Sequence, residues 1–229
     1  MGRSQTELAL ALLKQHILDL KLPPGRLVTE KELIELTGCG RTPVREAMQR
    51  LQRDGLLQIV PFRGAFITEI SSKDVDEISQ VREQLESFAA GLAARLMTPQ
   101  EVARACAVLE ALEPLSGRTA SEIFAVDRQF HLMIIEGSRH GRIREIIGML
   151  SDQIQRLRSL SAADPRRAVA AHAEHRAIAA ALAARDPERA EAAMRVHLQH
   201  SHQSLLDVVG YAARRNVTEE VVAQPDARR

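Results

Sequence analysis

Apolar residues recur at helical spacing in several segments near the start of the chain. The first segment runs from about Ser4 to Asp19, and its leucines and isoleucines at three- and four-residue intervals predict an amphipathic helix. Pro23-Pro24-Gly25 ends this helix, and Thr29 with Glu32 three residues later predicts a capping box at the start of a second one. The buried side of the second helix is predicted to consist of Leu33 and Leu36.

A third helix follows after a very short turn. Gly38 can adopt the positive φ that ends a helix, and Thr42 before Pro43 predicts a capping hydroxyl followed by a proline at the first helical position. The inward face of this helix is predicted to carry Val44, Met48 and Leu51, and the outward face Arg45, Gln49 and Arg53. Two short helices joined this tightly predict a helix-turn-helix.

Two β-prone runs come next, Leu56 to Val60 and Ala65 to Thr68. Pro61-Phe62-Arg63-Gly64 separates them and is typical of a hairpin loop. Three helices followed by a hairpin predict a winged helix-turn-helix over residues 1–70.

The pattern changes at about residue 71, where strand signals give way to Ala, Leu, Arg and Glu at helical spacing. Ser71 or Ser72 can cap a long helix through about Met97, and short connections favour an antiparallel all-α bundle of six or seven helices over residues 71–215. The expected fold class is therefore mostly α. Residues 216–229 are expected to be a disordered tail. Further helix starts are predicted at Thr98 with Glu101, at Asp164-Pro165 and at Asp186-Pro187.

Composition narrows these expectations only slightly. The chain has 229 residues, of which 45% are hydrophobic and 3% aromatic, so two modest domains with aliphatic cores are expected. No apolar run is long enough to cross a membrane and no signal-peptide pattern is present, which favours a cytoplasmic protein. Cys39 and Cys106 are expected to remain reduced.

The third helix carries two arginines that can reach one DNA groove. Arg41 lies at its exposed start and Arg45 about one turn further on. An arginine that binds guanine through two hydrogen bonds discriminates between bases by roughly 1–3 kcal/mol. Charge alone does not decide the matter, because residues 1–70 contain ten Lys plus Arg against eight Asp plus Glu, a net of +2. The alternative is a basic surface helix that only keeps the protein soluble.

A second constellation lies in the predicted bundle. Asp127 and His131 are spaced i, i+4 among inward-facing apolar residues, and His175 and His197 each share a stripe with apolar side chains. One carboxylate and three imidazoles that converge in a core suit a divalent transition metal such as zinc, nickel or manganese. The alternative is that each histidine is a hydrogen-bonded core residue.

The stretch "PGRLVTEKELIELTGCGRTPVREAMQRLQRDGLLQIVPFRGAFI" resembles the amino-terminal domain of the GntR family of bacterial transcription regulators over nearly all of residues 6–69. The resemblance implies a recognition helix in the major groove and a wing-tip glycine near the minor groove. The family usually has Ser or Thr where this chain has Gly40, so one phosphate contact is expected to be lost. The DNA-contacting roles that the resemblance implies fall on Lys31, Arg41, Thr42, Arg45 and Gly64.

The segments "DRQFHLMIIEGS", "EHRAIAAAL" and "AMRVHLQHS" resemble the histidine-bearing parts of the helical FCD sensor domain of the FadR-like GntR branch. The resemblance implies that Asp127, His131, His175 and His197 are metal ligands. It also implies that Arg82 of "VREQLE" faces an effector pocket, although a salt bridge with Glu86 is an equal alternative. His172, His200 and His202 are expected at the surface or behind the ligands, and the alternative for His172, which lies one turn from His175, is that it replaces His175 as a ligand.

Together these features predict a homodimeric repressor that binds a short palindromic operator in double-stranded DNA. A small organic acid, held by the metal and Arg82, is expected to change its DNA affinity. Two alternatives belong to other classes. One is an architectural DNA binder with an inert dimerisation bundle, and the other is a metal-dependent enzyme, for which we find no separate base or catalytic motif.

Overall fold

The computed structural model describes residues 4–61, 63–162 and 165–222, and the chain divides into two compact units between Ile70 and Ser71. The first unit holds three helices and a small sheet. Its elements are α1 (Gln5–Leu18), β1 (Leu27–Val28), α2 (Glu30–Thr37), α3 (Arg41–Arg53), β2 (Leu57–Val60) and β3 (Gly64–Ile67).

The sheet of the first unit has the order β1-β3-β2 and is antiparallel throughout. Strands β2 and β3 form the predicted hairpin, and Val60 pairs with Gly64 at its end. The predicted loop residue Phe62 lies outside the described residues. Strand β1 was not predicted, because two residues are too short to show a strand pattern. This arrangement is a winged helix-turn-helix.

The caps of α2 differ from the prediction. Thr29 accepts a hydrogen bond from the Glu32 amide, but the Glu32 carboxylate pairs with Arg26 at 2.5 Å, so the predicted capping box forms only in part. Leu36 is 40% exposed, which makes the prediction that it lies inward wrong. Thr37 is buried instead, and its hydroxyl donates to the Leu33 carbonyl at 2.8 Å, which satisfies the polar group inside the core.

The start of α3 also corrects the prediction. The N-cap is Gly40 and has no side-chain hydrogen bond, α3 begins at Arg41, and Pro43 is its third residue. The proline is tolerated there because the first amides of a helix have no intrahelical partner. Gly38 adopts φ 64°, as predicted, and this left-handed residue lets α3 begin so soon after α2.

The second unit is helical throughout its described part, in seven segments. They are α4 (Ser72–Leu96), α5 (Pro99–Glu110), α6 (Ala120–Gly137), α7 (Gly141–Met149), α8 (Ser151–Ala162), α9 (Pro165–Ala183) and α10 (Pro187–Val222). Capping boxes at Ser71 and Thr98 confirm two predicted helix starts. Asp164 lies outside the described residues.

Helix α10 continues to Val222, so the part of the expected disordered tail before residue 223 is helical. Extending an existing helix by one residue adds a hydrogen bond without a new nucleation cost, which explains how a segment without apolar periodicity can remain helical. Residues 223–229 lie outside the described residues.

Small side chains bring the helices of the second unit close together. Helix α4 packs most extensively against α10, and alanines of α4, α9 and α10 are buried at the contact. A side chain at Gly137 would place its Cβ 2.5 Å from Met97 Cγ, so this glycine allows α6 to approach the end of α4. Phe130 and Ile134 are buried as predicted. Within the described residues, no helix is long and apolar enough to cross a membrane.

Candidate metal centre and DNA-binding face

Three helices of the second unit bring the four predicted metal ligands together. Helix α6 carries Asp127 and His131 one turn apart, α9 carries His175, and α10 carries His197. One ligand atom from each residue lies within 4.8 Å of the others. The three histidines are at most 3% exposed. The predicted constellation therefore exists as a cluster inside the helical unit.

The imidazoles point at one another through the same nitrogen. The Nε2 atoms of His131 and His197 are 3.2 Å apart, those of His175 and His197 are 3.2 Å apart, and those of His175 and His131 are 3.3 Å apart. Asp127 Oδ1 lies 3.5 Å from His175 Nε2 and 3.9 Å from His131 Nε2. Nitrogen atoms bound to a tetrahedral zinc ion at about 2.05 Å would be separated by about 3.3 Å.

The opposite nitrogens of two imidazoles are held by carboxylates. Glu86 on α4 accepts from His131 Nδ1 at 2.5 Å, and Glu174 on α9 accepts from His197 Nδ1 at 2.7 Å. A proton on Nδ1 leaves Nε2 with a lone pair, so these two Nε2 atoms cannot donate to each other. Lone pairs directed at a common point require a cation or a proton between them.

Buried arginines stabilise the carboxylates in their ionised form. Burial raises the pKa of Glu86, but Arg82, followed by His131 and Arg158, lowers it by a larger amount, and the pKa lies well below its ordinary value. Burial likewise opposes ionisation of Glu174, but hydrogen bonds from His197 and Arg167 bring its pKa to about 2. Both groups are therefore carboxylates at neutral pH.

The histidines of the cluster are neutral because burial lowers the pKa of each imidazole. Burial, followed by repulsion from Arg158, lowers the pKa of His131 to about 4. Burial and the neighbouring imidazoles hold the pKa of His175 well below its ordinary value, and burial lowers that of His197. Neutral imidazole is the form that binds metal ions.

Arg82 forms the salt bridge with Glu86 that the sequence left open, and it also faces a pocket. Its Nε donates to Glu86 Oε1 at 2.7 Å, and its side chain also lines a small pocket of about 30 Å³ beside the cluster. The sequence did not single out the other two arginines of this pocket, Arg158 and Arg167. Basic side chains in "RLRSL" and "PRRAV" look like ordinary surface residues until the bundle is assembled.

The remaining histidines lie outside the cluster. His172 is buried rather than at the surface, and its Nε2 lies 3.1 Å from Glu113 Oε1, so it neither replaces His175 nor supports the ligands. His200 contacts Glu174 at 2.8 Å, behind the ligand His197, and His202 contacts Asp76 at 2.7 Å. These contacts fit the prediction that His200 and His202 lie at the surface or behind the ligands.

The candidate DNA-binding residues form an exposed face on the first unit. Arg41 and Arg45 project from the first turns of α3, and both donate through Nε to the Glu30 carboxylate, Arg45 at 2.5 Å. Because Nε is engaged, the two Nη groups of each arginine remain for other acceptors. The hydrogen bond from Arg45, followed by that from Arg41, holds the pKa of Glu30 below its ordinary value. The sequence did not reveal Glu30 as a partner.

Three further candidates lie on the same unit. Thr42 is exposed on α3, and Lys31 is 87% exposed on α2 with Glu35 Oε1 at 3.9 Å. Gly64 has φ 104°, and a Cβ there would lie 3.2 Å from the Val28 carbonyl oxygen. The wing therefore needs glycine at this position for both conformational and steric reasons.

Comparison with known proteins establishes the class. Residues 5–67 match the family described as bacterial regulatory proteins, gntR family, and residues 77–200 match the FCD domain. The chain therefore belongs to the GntR family of transcription regulators and carries an FCD domain. Its relatives are transcription regulators, which excludes the alternative of a metal-dependent enzyme.

Individual relatives are similar to this chain over most of its length. It is 30% identical to the HTH-type transcriptional regulator YdhC of Bacillus subtilis (strain 168), over 86% of this chain and 89% of the relative. It is 28% identical to the HTH-type transcriptional repressor RspR of Escherichia coli (strain K12), over 86% and 87%. The solved structure of E. coli McbR/YncC has a TM-score of 0.75 and 27% identity, and covers 90% of this chain and 99% of its own.

Proposed function

We propose that this regulator is a repressor whose operator affinity is set by a small organic acid bound at a divalent transition metal ion. The ligands of the metal are Asp127, His131, His175 and His197. The observation that carries the proposal is the convergence of three neutral imidazole Nε2 atoms within 3.3 Å of one another, two of them fixed by carboxylates. Zinc, nickel and manganese all accept this donor set.

The pocket supports the organic acid. It is lined by Arg82, Arg158 and Arg167 next to two of the metal ligands, Asp127 and His197. A carboxylate that binds the metal can also accept hydrogen bonds from a guanidinium group. The relative RspR is described as a transcriptional repressor, which supports repression as the role of this chain.

On DNA, Arg41, Thr42 and Arg45 are proposed to contact the major groove, with Gly64 close to the minor groove and Lys31 at a phosphate. A two-fold homodimer would place two recognition helices on a short palindromic operator. A cytoplasmic location follows from this role. The effector acts only if it binds the DNA-bound and DNA-free states with different affinity, typically by about 1–3 kcal/mol.

Native mass spectrometry combined with metal analysis tests the proposal on the purified full chain. We expect a dimer with one transition metal ion per subunit, which a chelator removes. Operator binding should then respond to organic acids only in the metal-loaded form. A dimer that takes up no metal and binds the operator equally with or without acids would instead support the architectural alternative.

Substitution of Arg45 by Ala tests the DNA-binding face. We expect the ratio of operator to nonspecific affinity to fall by about fivefold or more, since a bidentate guanine contact discriminates by about 1–3 kcal/mol. Arg53, which is exposed at the other end of α3, gives the matched control Arg53→Ala. Equal losses of selectivity in both variants would contradict the assignment.

A further inference from the structure

The connection between α6 and α7 has a strained backbone. The chain passes through Arg139, whose φ of 55° lies in the left-handed region that residues other than glycine seldom adopt. Such a conformation persists only where neighbouring contacts hold it. Ser138 supplies two of them, since its hydroxyl donates to the Ile135 carbonyl at 2.6 Å and accepts from the His140 amide at 3.2 Å. A few polar contacts therefore fix the place where α7 begins.

The first turn of α7 is capped by a histidine ring. His140 is the N-cap, and its Nδ1 accepts a hydrogen bond from the Ile143 amide at 3.3 Å. Helices α1, α2, α4, α5 and α6 are capped by Ser or Thr hydroxyls instead. A hydroxyl keeps its acceptor oxygen at every physiological pH, whereas an imidazole loses its acceptor nitrogen when it is protonated. The cap of α7 therefore depends on the protonation state of one ring.

The surroundings of His140 make a protonated ring unfavourable at this position. The ring is only partly buried, so protons from the solvent can reach it. Its neighbour on α4 is the apolar ring of Phe88, with the two ring centroids 6.1 Å apart. The N-terminal end of a helix carries a partial positive charge, which repels an imidazolium at the N-cap.

The charged side chains near this connection do not offset that repulsion. They belong to α5, α6 and α7 and comprise three arginines and three glutamates: Arg139, Arg142, Arg144, Glu101, Glu136 and Glu145. Arg139 is paired with Glu101 at 2.5 Å and Arg142 with Glu145 at 2.6 Å. Their formal charges cancel, so the helix end decides which form of the ring is favoured.

Loss of the cap would affect how α7 packs. The helix has only nine residues, and a helix this short is not stable without its tertiary contacts. Ile143 and Ile147 are buried in one apolar cluster with Ala89 of α4 and Ile135 of α6. Because Ile143 is also the residue whose amide His140 holds, the cap and the first buried contact of α7 are coupled.

We infer that His140 is a pH-dependent cap, which holds the start of α7 in place when its ring is neutral and releases it when the ring is protonated. The cap contributes stability at higher pH, and this contribution is lost as the pH falls through the range in which histidines protonate, about 6–7. This inference concerns the helical unit alone and does not depend on metal binding.

Hydrogen–deuterium exchange of the full chain at about pH 7.5 and about pH 5.5 tests the inference. Protection of the amides of residues 141–147, corrected for the intrinsic exchange rate at each pH, should fall about fivefold at the lower pH, as expected for the loss of one N-cap. In His140→Asn protection should be equal at both pH values, because asparagine caps a helix without titrating. His202→Asn is the matched control and should keep the wild-type fall, since His202 contacts Asp76 on α4 and leaves the cap in place.

The amides of residues 102–108 in α5 report any opening of the whole unit, including one caused by protonation of the histidine cluster. A fall that is confined to residues 141–147 and is absent in His140→Asn supports the pH-dependent cap. Equal protection at both pH values in the wild type, or an equal fall in His140→Asn, would overturn it. If His140→Asn does not fold, the wild-type chain still decides, because a fall shared by both segments would also overturn the inference.

Discussion

Substitution of Glu174 by Gln would test whether the carboxylate behind His197 supports metal binding. Glu174 accepts hydrogen bonds from His197 at 2.7 Å, Arg167 at 2.8 Å and His200 at 2.8 Å. A glutamine has one acceptor oxygen and no charge, so it cannot hold all three donors. Loss of such a partner typically lowers metal affinity by about 10- to 100-fold.

The expected loss of metal affinity can be measured as a smaller rise in Tm when metal is added. At a metal concentration of about 100 times the wild-type Kd, binding stabilises the folded protein by about 2.7 kcal/mol. For a unit of this size, this corresponds to a rise in Tm of about 5–10 °C. With 10- to 100-fold weaker binding at the same concentration, the stabilisation falls to about 1.4–0.4 kcal/mol, or about 1–6 °C.

Thermal melts of the full chain with zinc or nickel and with a chelator would measure this difference. The comparison uses the rise in Tm caused by metal, so any loss of stability in the metal-free variant cancels. Glu113→Gln is a matched control, because Glu113 also pairs with a histidine and an arginine, His172 and Arg176, but away from the cluster. A rise in Tm in Glu174→Gln as large as in the wild type would refute the reasoning.

Two further substitutions address other charged contacts. Glu30→Gln should raise nonspecific DNA affinity, because it removes a negative charge. It should also lower operator selectivity by roughly fivefold, because an amide cannot orient both arginines of α3. Fluorescence anisotropy with operator and scrambled duplexes would measure both affinities, and unchanged selectivity would count against an orienting role of Glu30. The hydrogen bond from the backbone amide of Thr98, followed by that from Arg139, lowers the pKa of Glu101 from its ordinary 4.5 to about 2. Ionised Glu101 therefore stabilises the folded protein at higher pH, and this contribution is lost as the pH falls from about 4.5 towards 2. Glu101→Gln should therefore be less stable than wild type at about pH 6, with the gap narrowing by about pH 3; melts in which the gap stays constant would disagree.

Local signals in the sequence predicted much of the fold. The boxes at Ser71 and Thr98 marked helix starts because each depends on residues three positions apart. The same holds for the spacing of Asp127 and His131 on one helix. The cap of α3 was mispredicted because Thr42-Pro43 is locally plausible, whereas the tight turn after Gly38 starts the helix earlier.

Such local signals could not predict contacts between residues that are far apart in the sequence. Glu86 and His131 are 45 residues apart, and nothing near either residue announces their hydrogen bond. The unpaired donors of Arg167 likewise become visible only when α9 and α10 are in place. The sequence could therefore indicate the ligands of the candidate metal centre but not the groups that orient them.

The position of Glu86 has a consequence for how a signal could leave the cluster. This one carboxylate joins three helices, since it accepts from Arg82 on its own helix α4, from His131 on α6 and from Arg158 on α8. The His131 ring is therefore tied to α4 through the Glu86 side chain. Helix α4 begins at Ser72, where the chain has just left the winged unit. A ligand that shifts the His131 ring would therefore disturb the hydrogen bonds that Glu86 makes to α4, α6 and α8 at the same time.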